Sequence, residues 1–315
     1  MQRKRDLISI NDLSNKEIEE IFRLADESYQ LIKRQARANV FPGKIMATIF
    51  YEPSTRTRLS FEAAMLKLGG EVISTESAKH FSSAIKGESL EDTIRIVGGY
   101  ADIIVLRHYE EGAAKRASSV SSVPIINAGD GPGEHPTQAL LDLYTIKKEF
   151  GDINDFKIAM IGDLLYGRTI HSLIHLFLKL CKNIKVFLVS PEELRLPEEY
   201  KSFLKDQGIE SYETDSLSEI IPQVDILYVT RIQKERFKSQ ILYDKVKDSF
   251  LINPESIGQL GEKAIIMHPL PRVNEIAREI DSDSRAAYFR QAQNGLYIRM
   301  AILQLILGNS IQQKI

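Results

Sequence analysis

The chain has 315 residues, 43% hydrophobic and 27% charged, with a formal net charge of -2 and a single cysteine, Cys181. These values fit a globular chain of two ordinary domains. They exclude bulk electrostatic attraction to nucleic acid, an intrachain disulfide and a cysteine-built zinc site. No window approaches the roughly 20 apolar residues of a membrane span, and the amphipathic start MQRKRDLISINDLSNKEI lacks a signal-peptide core. A cytoplasmic protein without nucleic-acid or membrane partners is expected.

The first strand-like run is KIMATIFY (44–51), followed by EPSTRTRLSFEAAMLKLGG. Ser54 suits an N-cap and Gly69-Gly70 a helix stop. Leu59, Ala63 and Leu66 fall on one face, and Phe61, Met65 and Leu68 on the other, so a buried helix is expected. Yet Arg56 and Arg58 stand in its first turn, where the helix already carries about half a positive charge. A bound phosphate or carboxylate would balance them, together with the hydroxyls of Ser54, Thr55 and Thr57 and the orphan amides. The alternative is that the arginines pair with Glu52 and Glu62 and merely tie down the turn. Ser, Thr and Arg crowded into one turn after a strand favour the anion.

EVIST (71–75) is the next strand, and a polar, glycine-broken loop with Ser82 and Lys86 follows. By itself a loop lysine reads as a solvated charge. After the helical LEDTIRIVGGY, the strand DIIVLR (102–107) ends on Arg107, beside a structural His108, and PIIN (124–127) is the fourth strand. HPTQALLDLYTIKKEF is a helix with Pro136 at its first position, reaching about Phe150, with His135, Thr137 and Gln138 at its start.

KIAMIG (157–162) then leads to GRTIHSLIHLFLKL, which puts Arg168 at another helix start after a strand. No GxGxxG or GK[ST] is present there. His171 and His175 have the spacing of a helical metal pair but lack an HExxH glutamate and a third ligand, so they read as ordinary helix residues, and Cys181 as buried filler. The remaining strands are IKVFLVS (184–190), DILYVT (225–230), followed by Arg231, and KAIIMH (263–268), followed by PLPR and Arg272.

Short strand-like runs alternating with helices indicate parallel sheets. The helix ending near Phe150 acts as a bridge, so the chain reads as α/β. Two domains are expected, each an open, mainly parallel sheet flanked by helices. Residues 1–150 form the first, completed by a C-terminal helix within 287–315, and residues 151–286 form the second. Open α/β sheets place ligands at the carboxyl ends of their strands. Arginines recur at four or five of those ends, so the expected ligands are polyanionic.

PSTRTR (53–58), KGE (86–88), RH..EGA (107–113), AGDG..EHPTQALLDL (128–143), GDLLYGRTIHSL (162–173), VTRIQKER (229–236) and MHPLPR (267–272) occur in one order over nearly the whole chain. Together they closely resemble the catalytic chains of the aspartate carbamoyltransferases, in the aspartate/ornithine carbamoyltransferase superfamily. STRTR marks carbamoyltransferases generally, whereas HPLPR and TRIQKER point to the aspartate type. An ornithine enzyme would need a carboxylate where Arg231 and Gln233 stand.

The resemblance implies transfer of a carbamoyl group from carbamoyl phosphate to L-aspartate, the entry into pyrimidine synthesis. It implies no cofactor and no metal. It assigns carbamoyl phosphate to Ser54, Thr55, Arg56, Thr57, Ser82, Lys86, Arg107, His135, Gln138, Pro269, Leu270 and Pro271. Of these, Arg56, Thr57, Lys86, Arg107 and His135 are the catalytic set. L-aspartate falls to Arg168, Thr169, Arg231, Gln233, Leu270 and Lys86. A cis bond is expected before Pro271. Arg58 is left to brace the fold. The resemblance further implies a homotrimer in which Ser82 and Lys86 enter from the neighbouring subunit. Family members either work alone or assemble allosterically with a separate zinc-containing regulatory chain.

Overall fold

The computed structural model describes residues 4–35, 38–77, 87–131, 133–234, 237, 239–247 and 249–308. The chain divides into two compact units, Met1–Tyr144 with Gln293–Ile315, and Thr145–Ala292.

In the first unit, β1 (Ile45–Phe50), β2 (Glu71–Glu76), β3 (Ile103–His108) and β4 (Ile125–Asp130) form one parallel sheet in the order β2-β1-β3-β4. β3 and β4 are buried along their whole length, including the polar residues at their carboxyl ends, Arg107 and His108 in β3 and Asn127 and Asp130 in β4. The helices are α1 (Asn15–Lys33), α2 (Thr55–Lys67), α3 (Leu90–Val97), α4 (Ala113–Val120) and the start of α5 (Pro136–Phe150). Ser14 and Glu17 form a reciprocal capping box on α1, and Ser89 caps α3. Ala47 and Ile49 of β1, Ile104 and Leu106 of β3 and Leu90 and Ile94 of α3 share one core cluster. The last helix, α10 (Tyr288–Leu307), packs on α1: Tyr297 meets Tyr29 edge-on at 5.4 Å, and Gln304 donates to the Ser28 hydroxyl at 3.3 Å.

The second unit holds β5 (Lys157–Ile161), β6 (Lys185–Val189), β7 (Glu210–Thr214), β8 (Ile226–Val229) and β9 (Ile265–Met267), all parallel, in the order β7-β6-β5-β8-β9. Around them lie α6 (Arg168–Leu180), α7 (Glu198–Asp206), the single turn α8 (Leu217–Ile220) and α9 (Gln240–Val246). No helix among the described residues is long and apolar enough to cross a membrane.

Each of the eight expected strand runs is a strand. The ninth, β7, has the sequence ESYET and offers no apolar run to read. It lies at a sheet edge, with its first three residues exposed, and its register against β6 includes an ion pair between Lys185 and Glu210 at 2.6 Å. A second correction concerns α2. Phe61, Ala64, Met65 and Leu68 are buried, but Leu59 and Leu66 are 51% and 44% exposed. Apolar residues on two helix faces do not require that both faces meet protein within one chain.

Both sheets reverse their winding at one place. β1 lies beside β3 in the first, and β5 beside β8 in the second. In each sheet the switch point opens a crevice at the carboxyl ends of that sheet's own strands.

Candidate active site

At the β1/β3 switch point, the Tyr51 N–H donates to the Arg107 carbonyl at 2.9 Å, holding the two strand ends together. The chain then turns through Glu52 and Pro53 into α2. Ser54 occupies the N-cap, but its hydroxyl makes no capping bond. The first intrahelical bond runs from Arg58 N–H to the Ser54 carbonyl at 3.0 Å, so the amides of Thr55, Arg56 and Thr57 precede it. Arg56 is exposed and pairs with no carboxylate among the described residues, while partial desolvation of its guanidinium lowers its pKa.

Arg58 is consumed by the fold. It reaches Glu76 at 3.1 Å, Glu62 at 3.7 Å and the Ser74 hydroxyl at 3.1 Å. Glu62 also accepts from Thr48 and Ser74, so the cluster ties α2 to β1 and β2. Arg107, 8% exposed, donates to the Ala128 carbonyl at 3.2 Å and pairs with Glu52 at 2.7 Å. An anion at the start of α2 therefore meets Arg56, which holds no carboxylate among the described residues, and Arg107, which already holds an acid.

The third contribution follows β4, the next strand over. His135 precedes Pro136, the first residue of α5, and its carbonyl accepts from the Gln138 and Ala139 amides at 3.0 and 3.2 Å. His135, Thr137 and Gln138 are all buried. Glu134 anchors this entrance by accepting from the Ser9 hydroxyl at 2.6 Å and the Ile10 amide at 3.0 Å.

The second unit repeats the plan at the β5/β8 switch point. Gly162 sits at φ +112°, and a Cβ there would lie 2.3 Å from the Thr230 carbonyl oxygen, so only glycine lets the two strand ends approach this closely. The Thr230 hydroxyl donates to the Ile161 carbonyl at 3.0 Å and accepts from the Asp163 amide at 3.2 Å. Beyond this contact, Tyr166 ties two loops together. Its carbonyl accepts from the Arg168 amide at 2.9 Å and from Gln233 Nε2 at 3.3 Å. Arg168, Thr169, Arg231 and Gln233 are half-buried around it.

After β9, the Leu270 amide donates to His268 Nδ1 at 2.7 Å. Nδ1 must then be an acceptor, so the proton sits on Nε2, which donates to Glu275 at 2.7 Å. The other Glu275 oxygen accepts from the amides of Val273 and Asn274 at 3.1 and 3.0 Å. This relay fixes Leu270 at φ +53°, and the bond to Pro271 is cis, as expected. Pro269 and Leu270 are half-buried and Pro271 is exposed. Arg272 is not an available cation, because both of its terminal nitrogens bind Asp281.

Thus Ser54, Thr55, Arg56, Thr57 and Arg107 gather at one switch point, with His135 and Gln138 following the adjacent strand. Arg168, Thr169, Arg231 and Gln233 gather at the other, with Pro269, Leu270 and Pro271 following the strand next to it. Ser82 and Lys86 lie outside the described residues. His171 Nε2 donates to the Leu164 carbonyl at 2.9 Å, and its ring stacks on Tyr200; the described residues contain no group of three or more His, Cys, Asp or Glu that could hold a metal. The sequence reading did not foresee Glu52 as Arg107's partner or the Glu275 relay, since both pairings join positions with no periodic relation.

Two family models cover the chain. Residues 5–148 match the aspartate/ornithine carbamoyltransferase carbamoyl-P binding domain, and residues 154–306 match the Asp/Orn binding domain. The aspartate carbamoyltransferase catalytic subunit of Methanocaldococcus jannaschii is 54% identical over 306 residues, covering 97% of this chain and 99% of that one. A chloroplastic aspartate carbamoyltransferase of Arabidopsis thaliana is 50% identical over 303 residues, 96% of this chain and 77% of its own. A crystal structure of aspartate transcarbamoylase from Trypanosoma cruzi, in complex with carbamoyl phosphate and aspartate, matches with a TM-score of 0.89 at 41% identity, covering 95% of each chain.

Proposed function

The chain belongs to the aspartate/ornithine carbamoyltransferase family, and we infer that it transfers the carbamoyl group of carbamoyl phosphate to the amine of L-aspartate. The products are N-carbamoyl-L-aspartate and phosphate. One observation carries this reading over the ornithine alternative: relatives of about half-identical sequence across nearly the full length are aspartate carbamoyltransferases. The arginines at the second switch point agree with it, since two carboxylates need cationic forks and a cationic side chain would not.

In the first unit, the Thr55, Arg56 and Thr57 amides, the neighbouring hydroxyls and Arg56 hold the phosphate. Arg107 spans phosphate and carbonyl oxygen, displacing Glu52 as it does so. Thr57 and His135 also donate to that oxygen, where negative charge develops when the amine adds. Gln138 meets the carbamoyl NH2. In the second unit, Arg168, Arg231 and Gln233, with Thr169 nearby, grip the aspartate carboxylates, and the carbonyls of Pro269 and Leu270 accept substrate N–H groups. The amine nitrogen bonds to the carbonyl carbon, the bond from that carbon to the phosphate oxygen breaks, and the leaving phosphate takes the amine proton. Orientation and charge complementarity supply the rate enhancement.

The working assembly is a homotrimer, with Ser82 and Lys86 completing a neighbour's site, in a cytoplasmic enzyme. The test incubates the protein with carbamoyl phosphate and either L-aspartate or L-ornithine and follows the ureido product. Product with aspartate alone is expected, and its absence would overturn the reading.

A further inference from the structure

Asp142 lies one helical turn after Gln138 on α5 and is fully buried. Its carboxylate accepts from Gln138 Nε2 at 2.8 Å. An ionised carboxylate can only accept hydrogen bonds, so it can face only the NH2 end of the amide. The amide oxygen of Gln138 must then face the opposite way.

A carboxylate with no exposure needs a cation nearby to stay ionised. Arg299 of α10, 3% exposed, is such a cation, and the Asp142 charge favours the charged form of its guanidinium. Burial pushes the Arg299 pKa down to about 10, which still leaves it charged at neutral pH. Its position is fixed from two further sides. The guanidinium lies 5.2 Å above the ring of Phe61 on α2. A Cβ on Gly295 would come within 2.3 Å of Arg299 Nη1 and 3.3 Å of Leu141 Cδ2, so α10 leaves room for the group.

We propose that Asp142 and Arg299 are positioning residues that lock the Gln138 amide with its oxygen toward substrate, so that the site selects the NH2 of a carbamoyl group. The lock rests on the reading that Gln138 meets that NH2. A carbonyl oxygen can accept from a carbamoyl N–H, whereas the reversed amide would set donor against donor. The phosphate contacts at α2 are independent of this orientation.

Asp142→Asn tests the lock, because asparagine can donate as well as accept and frees the Gln138 amide to turn. Its kcat/KM with carbamoyl phosphate should fall roughly 10- to 100-fold, the effect of one buried hydrogen bond to a charged or reacting group. Calorimetric affinity for inorganic phosphate, and competition by acetyl phosphate, which carries a methyl in place of the NH2, should stay within about twofold. Gln138→Met should lose as much, and the double variant no more than Gln138→Met alone. Should Asp142→Asn fail to fold, Asp142→Asn/Arg299→Met buries no lone charge and carries the same expectation. Full kcat/KM in either variant, or an equal loss of phosphate affinity, would overturn the lock. Unchanged activity in Gln138→Met would instead remove the reading of Gln138 on which it rests.

Discussion

Arg56 and Arg58 stand two residues apart in the first turn of α2, and alanine at each should do different damage. Arg58 holds Glu76 at 3.1 Å, Ser74 at 3.1 Å and Glu62 at 3.7 Å, with its side chain 22% exposed. Each charge-assisted bond would contribute about 1.5–3 kcal/mol if buried, and well under 1 if solvated. With partial exposure, and two acids left without their cation, Arg58→Ala should cost about 2 kcal/mol, lowering Tm by roughly 4–8 °C for a unit of this size. Arg56 has no carboxylate partner among the described residues and is exposed, so its alanine variant should stay within about 0.5 kcal/mol of wild type. Its loss instead removes a donor that meets charge on the transferring group, typically a 100- to 1000-fold effect on kcat, or about 2.7–4 kcal/mol. Thermal unfolding and the rate of carbamoyl aspartate formation, measured on both variants, separate the two. Arg56→Ala retaining activity within about fivefold, or Arg58→Ala melting with wild type, would refute the division of roles.

Three further outcomes follow from single contacts. Glu52→Gln should tighten inorganic phosphate binding about fivefold, since a pair whose acid is one-third exposed contributes only about 1 kcal/mol; unchanged calorimetric affinity would mean that Glu52 does not compete for Arg107. Gly162→Ala would force a Cβ to 2.3 Å from the Thr230 carbonyl at φ +112°. It should lower stability by about 3 kcal/mol in denaturant titration and raise KM for aspartate more than for carbamoyl phosphate. Burial holds His171 below its ordinary pKa, against the opposing bond to the Leu164 carbonyl. The native ring stays neutral while the unfolded one protonates, so its contribution is complete above the unfolded pKa and is lost as pH falls below about 6.5, by about 1.4 kcal/mol per pH unit until the folded ring titrates. His171→Gln should flatten that part of the stability profile, and an unchanged slope would assign the acid sensitivity elsewhere.

Much of this was legible in the sequence. Apolar runs of strand length alternating with helical patterns are readable along the chain, because a parallel strand covered on both faces is apolar over most of its length. Eight strands, the starts of α2, α5 and α6, and the crowding of Ser, Thr and Arg after β1 came from local signals of this kind. β7 did not, because an exposed edge strand takes its order from its neighbour rather than from its own composition.

Which charges are available was decided only in three dimensions. STRTR offers two guanidinium groups that look alike along the chain. Glu76 and Ser74, brought alongside by the β1/β2 register, make one of them structural. Asp281 does the same to Arg272, and Glu52 turns Arg107 into a cation that must first release an acid. The influence of the Asp142 charge on Arg299 is the furthest case, an electrostatic coupling between α5 and α10 inside one unit. A sequence specifies its periodicities residue by residue, because they arise from helix and strand geometry. An ion pair depends on where two distant segments come to rest, so the chemistry was readable from the chain and the assignment of each arginine was not.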